Sequence, residues 1–281
     1  MTTRVAANGI EIAYESFGPP SGRPLLLIMG LGTQLLHWDE EFCRLLVDQG
    51  HQVVRFDNRD TGLSTHFHAA GVPRPGTPAP YLLDDMADDA IGLMDALGWP
   101  SAHVAGASMG GMIAQAMAVR HPGRVLTLTS IMSTPGPEVA PPTAAAAAVL
   151  MSAAPPDRAA VLEQALRTWS VIGSPGYALD RERITTLTGL AYDRCFDPAG
   201  TARQLAAIMA SGGRTEALAR LTIPALVLHG EDDPLVPVEG GRATAAAIPG
   251  ARLVTYPGMG HDLPRALWPA VVAEITKLTS A

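Results

Sequence analysis

One serine in this 281-residue chain sits in a setting that would expose it: Gly106-Ala107-Ser108-Met109-Gly110, with Gly111 following. The spacing G-x-S-x-G suits a sharp turn from a strand into a helix, because glycine two residues before and two after lets the chain pass close to itself. A serine at such a turn projects its hydroxyl clear of the backbone, and the helix that starts beside it favours negative charge nearby. A hydroxyl alone is a poor nucleophile, so the reading requires a base and an acid that orients the base. Both occur downstream, in the order serine, acid, histidine. Asp233 is the candidate acid, in Gly230-Glu231-Asp232-Asp233-Pro234; Asp232 is its adjacent rival, and an exposed acidic turn ahead of a helix is the plain alternative for either. His261 is the candidate base, and Gly258 and Gly260 ahead of it give the chain freedom to bring the imidazole back to Ser108.

These groups would perform acyl transfer. The base takes the Ser108 proton, the oxygen attacks a carbonyl, and water later releases the acyl group. Charge develops on the carbonyl oxygen and needs two backbone N–H donors. Met109, at the turn, supplies one; Leu31, in Met29-Gly30-Leu31-Gly32, is the candidate for the other, although those glycines also suit a strand end. The chemistry calls for no metal and no organic cofactor. His66 and His68 have a spacing that raises a metal site, but they read as a solvated loop without an accompanying Cys or carboxylate cluster. His37, Trp38, Trp169 and Tyr192 are candidates for the substrate pocket, with anchoring of a helix as the alternative for Trp38.

The elements that must position these residues alternate. Strands are expected at Ile10 to Phe17, Pro24 to Met29, Gln52 to Phe56, His103 to Ala105, Val125 to Ile131, Pro224 to His229 and Ala251 to Tyr256. Helices are expected at Trp38 to Gln49, Leu83 to Leu97, Met109 to His121, Val238 to Ile248 and Pro264 to Leu278. Such alternation implies an α/β protein with a mostly parallel sheet covered by helices on both faces. It breaks between residues 134 and 215, where a Pro-rich stretch, an Ala run and helical periodicity at Ala159 to Ser170 and Thr201 to Ala210 suggest an inserted helical layer. The expected organisation is therefore core 1–133, helical cap 134–215 and core 216–281.

Composition bounds the function. With 47% hydrophobic and 17% charged residues the chain can bury a large core, and 20 Lys plus Arg against 27 Asp plus Glu give a formal charge of −7. That charge is spread along the chain, which argues against nucleic acid and anionic membranes as partners. Two distant cysteines, the absence of an export-like N-terminus and the lack of a long apolar run point to the cytoplasm and away from a membrane. The sequence carries no signature of oligomeric state.

These residues resemble the α/β-hydrolases, over nearly the whole chain. The resemblance implies a central sheet of about eight strands and Ser108, Asp233 and His261 as a catalytic triad. Asp57-Asn58-Arg59-Asp60-Thr61-Gly62-Leu63-Ser64 is similar to the family's D-x-R-G-x-G-x-S loop, with Asp60 in place of glycine, and Met29 stands where many members carry histidine. Together with Pro257-Gly258-Met259-Gly260-His261, those departures resemble bacterial esterases of the aclacinomycin methylesterase type. The expected activity is hydrolysis of a small or medium apolar carboxylic ester through an acyl-enzyme. Lactonase, amidase, perhydrolase and C–C bond hydrolase are the alternatives within the family, and a ligand-binding protein without turnover is the alternative outside enzymes. Arg59 and Asp60 are read as structural.

Overall fold

The computed structural model describes residues 2–74 and 76–280. Eight strands form one sheet: β1 (Thr3–Ala7), β2 (Ile10–Phe17), β3 (Arg23–Ile28), β4 (His51–Phe56), β5 (Ala102–Ala107), β6 (Val125–Ile131), β7 (Ala225–Gly230) and β8 (Arg252–Tyr256). Their order is β1-β2-β4-β3-β5-β6-β7-β8, antiparallel where β2 meets β1 and β4 and parallel elsewhere.

The central strands are buried along nearly their whole length because helices cover both of their faces. In β5, Ala-His-Val-Ala-Gly-Ala is buried at every position. One face packs against α2 (Leu83–Ala96), α3 (Met109–Arg120) and the short α8 (Thr215–Leu218), through Leu26, Ile28, Val104 and Leu128 against Met86, Leu93, Ile113 and Leu218. The other packs against α1 (Glu40–Asp48) and α10 (Trp268–Thr279), where Leu25, Leu27 and Val53 meet Phe42, Leu46, Val271 and Ile275. The remaining core helix, α9 (Val238–Ala247), joins β7 to β8.

Between β6 and β7 the chain makes five helices and no strand: α4 (Ala144–Leu150), α5 (Arg158–Ile172), α6 (Arg181–Arg194), α7 (Pro198–Ala210) and the short α8. This segment leaves and rejoins the sheet at one place. Arg214 N donates to Pro135 O at 2.7 Å, and its guanidinium donates to Thr134 O at 3.1 Å. Among the described residues no helix is long and apolar enough to cross a membrane.

Four elements have no counterpart among the strands and helices read from sequence: β1, α4 over the Ala run, α6 and the short α8. Strand β1 is a mostly exposed edge strand joined to β2 by a two-residue turn, Asn8-Gly9, with φ of 48° and 77°. Helix α6 is mostly polar and starts at an Asp180 side chain that accepts from Arg183 N. Elsewhere the differences are one to four residues at element ends. The last helix starts at Trp268, with a 3₁₀ turn over Arg265–Leu267 ahead of it.

The sheet order fixes where a site can form. The chain moves from β3 to β4 in one direction and then places β5 on the other side of β3, so the loops leaving β3 and β5 diverge and open a crevice at their carboxyl ends. The β3 loop carries Leu31 and the β5 loop carries Ser108.

Candidate active site

Ser108 sits between the last residue of β5 and the first of α3, with φ 56° and ψ −123°. For a non-glycine residue that backbone stores roughly 1–3 kcal/mol of strain. Its surroundings leave no alternative, since Ser108 N donates to Ile131 O on β6 and Ser108 O accepts from Gly111 N, Met112 N and the Ser133 hydroxyl. The flanking glycines are needed for space. A Cβ on Gly106 would lie 2.0 Å from Gly110 O, and one on Gly110 would lie 2.1 Å from Ile28 O.

His261 Nε2 is 3.0 Å from Ser108 Oγ, and His261 Nδ1 is 2.7 Å from Asp233 Oδ2. A carboxylate only accepts, so Nδ1 carries the hydrogen and Nε2 is left to accept from the serine hydroxyl. The carboxylate is held in turn: Asp233 Oδ1 accepts from Leu235 N and Val236 N, both at 2.9 Å. Geometry thus separates the two acids that sequence left side by side. Asp233 is buried against the histidine, whereas Asp232 is exposed and accepts from Gly258 N at 2.8 Å. His229 lies below, 3.8 Å from Asp233 Oδ2, donating to Val236 O; burial keeps its pKa below the ordinary value, so it adds no charge.

The histidine loop is gripped by the segment between β6 and β7. His261 N donates to Ile172 O at 2.7 Å, and Gly260 N donates to Ser174 Oγ, whose hydroxyl donates to Asp262. Burial raises the Asp262 carboxyl above the ordinary carboxylate range.

The β3 loop passes beside the serine closely enough that a Cβ on Gly30 would lie 3.1 Å from Ser108 Cβ. Neither Leu31 N–H nor Met109 N–H donates to an atom of the described residues. Both donors are therefore unengaged.

The candidate pocket residues divide. Trp38 belongs to the core rather than to a pocket: it is 2% exposed, stacks on Phe42 at 5.6 Å, and Phe42 meets Trp268 edge-on. Its reading as a pocket wall gives way to anchoring α1, because an indole at the start of this amphipathic helix completes the apolar cluster beneath it. His37 lies in the 3₁₀ turn after the β3 loop, with its pKa pushed down to about 4 by burial, so it is neutral near pH 7. Half-buried Trp169 lies one turn before the Ile172–Ser174 stretch that holds the histidine loop, and half-buried Tyr192 packs on Phe196 at the end of α6.

His66 is not the solvated loop residue expected from its sequence. Its Nδ1 is 2.8 Å from Asp197 Oδ2 and its Nε2 is 3.0 Å from Gly62 O, with the Cys195 sulfur at 3.6 Å. The Cys195 contact first, and then Gly62 O and Asp197, raise its pKa to about 9. His68 is exposed, with Nδ1 3.7 Å from the same Asp197 oxygen. The trio offers three ligand atoms within 4.8 Å of one another, but Arg203 also binds that oxygen, at 3.1 Å. We read it as an ion-pair cluster. A cavity of about 360 Å³ opens beside it, lined by Arg4, Glu11, Arg194 and Cys195 among others, and is not lined by Ser108 or His261.

Arg203 and Gln204 on α7 are the residues that sequence reasoning missed. Arg203 is 1% exposed and forks onto both Asp60 oxygens, at 2.7 and 2.8 Å, while Tyr81 donates to the same carboxylate at 2.7 Å. Asp60 has φ 65°, a left-handed conformation that glycine adopts without strain, so a side chain here gains from a strong partner. The one available signal was the departure from glycine itself.

A family model described as the alpha/beta hydrolase fold matches residues 23–264. The chain is 30% identical to rhodomycin D methylesterase DauP of Streptomyces sp. strain C5, over 100% of this chain and 98% of that protein. It is also 30% identical to rhodomycin D methylesterase DnrP of Streptomyces peucetius, over 100% and 99% of the two chains. Among solved structures, the enol-lactonase of Burkholderia xenovorans LB400 is similar with TM-score 0.78 and 25% identity, covering 99% of this chain and 100% of that one. With the strained serine, the diverging β3 and β5 loops and these full-length likenesses in hand, the chain belongs to the α/β-hydrolase family.

Proposed function

We propose that the protein is a serine carboxylic ester hydrolase acting on a small or medium apolar ester. The observation that carries this reading is the continuous chain Ser108 Oγ, His261 Nε2, His261 Nδ1, Asp233 Oδ2, at 3.0 and 2.7 Å, beside two unengaged N–H donors. His261 takes the proton as Ser108 Oγ attacks the ester carbon. The developing oxyanion binds Leu31 and Met109 N–H, and the imidazolium is stabilised by Asp233. His261 then returns the proton to the departing alcohol, leaving an acyl-Ser108. Water, deprotonated by His261, attacks the acyl carbon and restores the hydroxyl. Residues 134–215 act in this reading as a cap whose Trp169 and Tyr192, with His37, line the approach to the serine. The methylesterase relatives support a simple ester as substrate; the enol-lactonase likeness adds cyclic esters to the range to be tried.

The test is hydrolysis of a chain-length series of p-nitrophenyl esters and a set of lactones by wild type and Ser108→Ala, with mass spectrometry of the fluorophosphonate-treated protein. The expected result is turnover that falls by about 10⁴-fold or more in the variant and an adduct on Ser108. No turnover and no adduct would overturn the proposal in favour of a binding protein.

A further inference from the structure

We infer that Gln204 is a positioning residue for the oxyanion loop, so that the donor geometry at Leu31 is set by a helix inserted 172 residues further along the chain. The inference rests on the serine-hydrolase reading above. Gln204 is fully buried, and its amide spans two loops. Its Oε1 accepts from Gly32 N at 2.8 Å, one residue after the proposed donor Leu31. Its Nε2 donates to Arg59 O at 2.7 Å and lies 2.6 Å from Thr61 Oγ1. The amide cannot be flipped without facing a donor with a donor and a carbonyl with a carbonyl, so its orientation is determined.

The rest of the loop is held in the same manner. Thr33 N and its hydroxyl bind Gly30 O, at 3.3 and 2.9 Å, and Asn58 Nδ2 binds Met29 O at 2.9 Å. Gln34 Nε2 donates to Ala191 O and Cys195 O at the end of α6, and Arg194 donates to Gln34 Oε1. Only Gly32 N, however, ties the peptide adjacent to Leu31 to the inserted segment. Rotation of the 31–32 peptide would leave Oε1 of the fully buried Gln204 without its donor, which opposes that motion. Arg203, next in sequence and forked on Asp60, anchors the same turn of α7 and so fixes the place from which Gln204 reaches.

The experiment measures two quantities on Gln204→Met, which keeps the side-chain volume and removes the polar atoms. The rate of Ser108 modification by a fluorophosphonate, whose phosphoryl oxygen occupies the oxyanion position, is expected to fall about tenfold or more, with kcat for a p-nitrophenyl ester falling alongside and KM within about twofold; complete loss of one such donor costs about 10²–10³ in kcat. Amide hydrogen exchange across residues 30–33 is expected to accelerate in the same variant. Gln204→Glu retains an acceptor for Gly32 N while losing the Nε2 donor. It is expected to be destabilised yet to label closer to the wild-type rate than Gln204→Met, and it carries the comparison if the Met variant does not fold. Equal labelling rates for wild type and Gln204→Met, or equal exchange at residues 30–33, would overturn the inference and leave Gln204 a structural bridge. Failure of the wild type to label at all would remove the serine-hydrolase reading, and hydrogen exchange alone would then decide whether Gln204 holds the loop.

Discussion

Helix α3 and helices α5 and α6 are similar in length and are held by different forces. Ten of the twelve residues of α3 are buried, while α5 buries Ile172 alone and α6 only Gly189. The sheet core is stabilised by apolar burial, which is strong and indifferent to direction. Apart from Ala207 and Ile208 of α7, which join the apolar cluster under α2 and α3, the inserted segment is attached by polar bonds aimed at particular loops: Ile172 O and Ser174 at the histidine loop, Gln204 and the end of α6 at the β3 loop, and Arg203 at Asp60. Burial keeps the strained serine in place, and directional bonds set the loops that must meet it. Six of the nine exposed large apolar side chains among the described residues, Leu150, Met151, Val171, Leu190, Phe196 and Met209, lie between β6 and β7, and the other three, Val72, Leu82 and Leu126, lie elsewhere.

The largest expected effect breaks the attachment at its most buried bond. Arg203→Met leaves the Asp60 carboxylate buried with Tyr81 and Phe67 N as its remaining donors. Removing one partner of a buried pair costs about 3–5 kcal/mol, whereas replacing both partners with apolar groups approaches neutrality. Arg203→Met should therefore destabilise by about that amount in urea unfolding, and Asp60→Gly combined with Arg203→Met should recover most of it, helped by relief of the positive φ at residue 60. A double variant no more stable than Arg203→Met alone would show that the pair is not the main attachment.

The core was legible in sequence because strands such as β3 and β7 are apolar at consecutive positions and bounded by glycine. The serine turn was legible because its glycines are local. Legibility failed where the partner lies far along the chain. His66 reads as a loop residue until Asp197, 131 positions away, supplies its counter-charge. Gln204 looks like one polar residue in a helix until Gly32 and Arg59 are placed on either side of its amide. Asp232 and Asp233 differ only in the direction in which the turn after β7 points them. Strand β1 had a local signal, the Asn8-Gly9 pair, which favours a two-residue hairpin turn; its exposed side chains concealed the strand itself. Helix α6, with Thr185, Thr186, Thr188 and Gly189, has weak intrinsic propensity and is fixed by its cap and neighbours.

On the core side, Leu128→Ala in β6 removes a side chain with no exposure from the apolar face beneath α3. A loss of about 3 kcal/mol is expected from chemical denaturation, within the range for fully buried leucines. A loss below about 1 kcal/mol would mean that this face collapses around the gap.

Protons sharpen the comparison, because the core also contains histidines that stay neutral near pH 7. His103 in β5 is 8% exposed, bonds Thr127 Oγ1 at 2.9 Å, and has its pKa pushed down to about 4 by burial, with His51 and Arg23 nearby adding to the effect. Burial lowers the pKa values of His37 and His51 in the same direction. The unfolded chain takes up protons near the ordinary value of 6.5 and the folded chain only near 4, so stability is complete above about pH 6.5 and is lost as pH falls toward 4. Each such histidine contributes a slope of at most about 1.4 kcal/mol per pH unit. Urea midpoints measured from pH 7 to pH 4.5 should fall steeply for the wild type and less steeply for His103→Gln. Equal slopes would place His103 in contact with solvent.

The smallest expected effect comes from the inserted helices themselves. Leu190 on α6 is 51% exposed, so truncating it to alanine removes little buried area, and a change within about 0.5 kcal/mol is expected. The value of this variant lies in its contrast with Leu128→Ala: the same residue type and the same deletion, in two regions held by different forces. If Leu190→Ala were to cost more than about 1.5 kcal/mol, its side chain would have to be covered in solution, and the attachment of α6 would then be partly apolar. If the stability is unchanged, the polar bonds to the loops at residues 30–34, 59–61 and 260–262 are what hold the segment down, and the residues that shape the site are those that also keep it assembled.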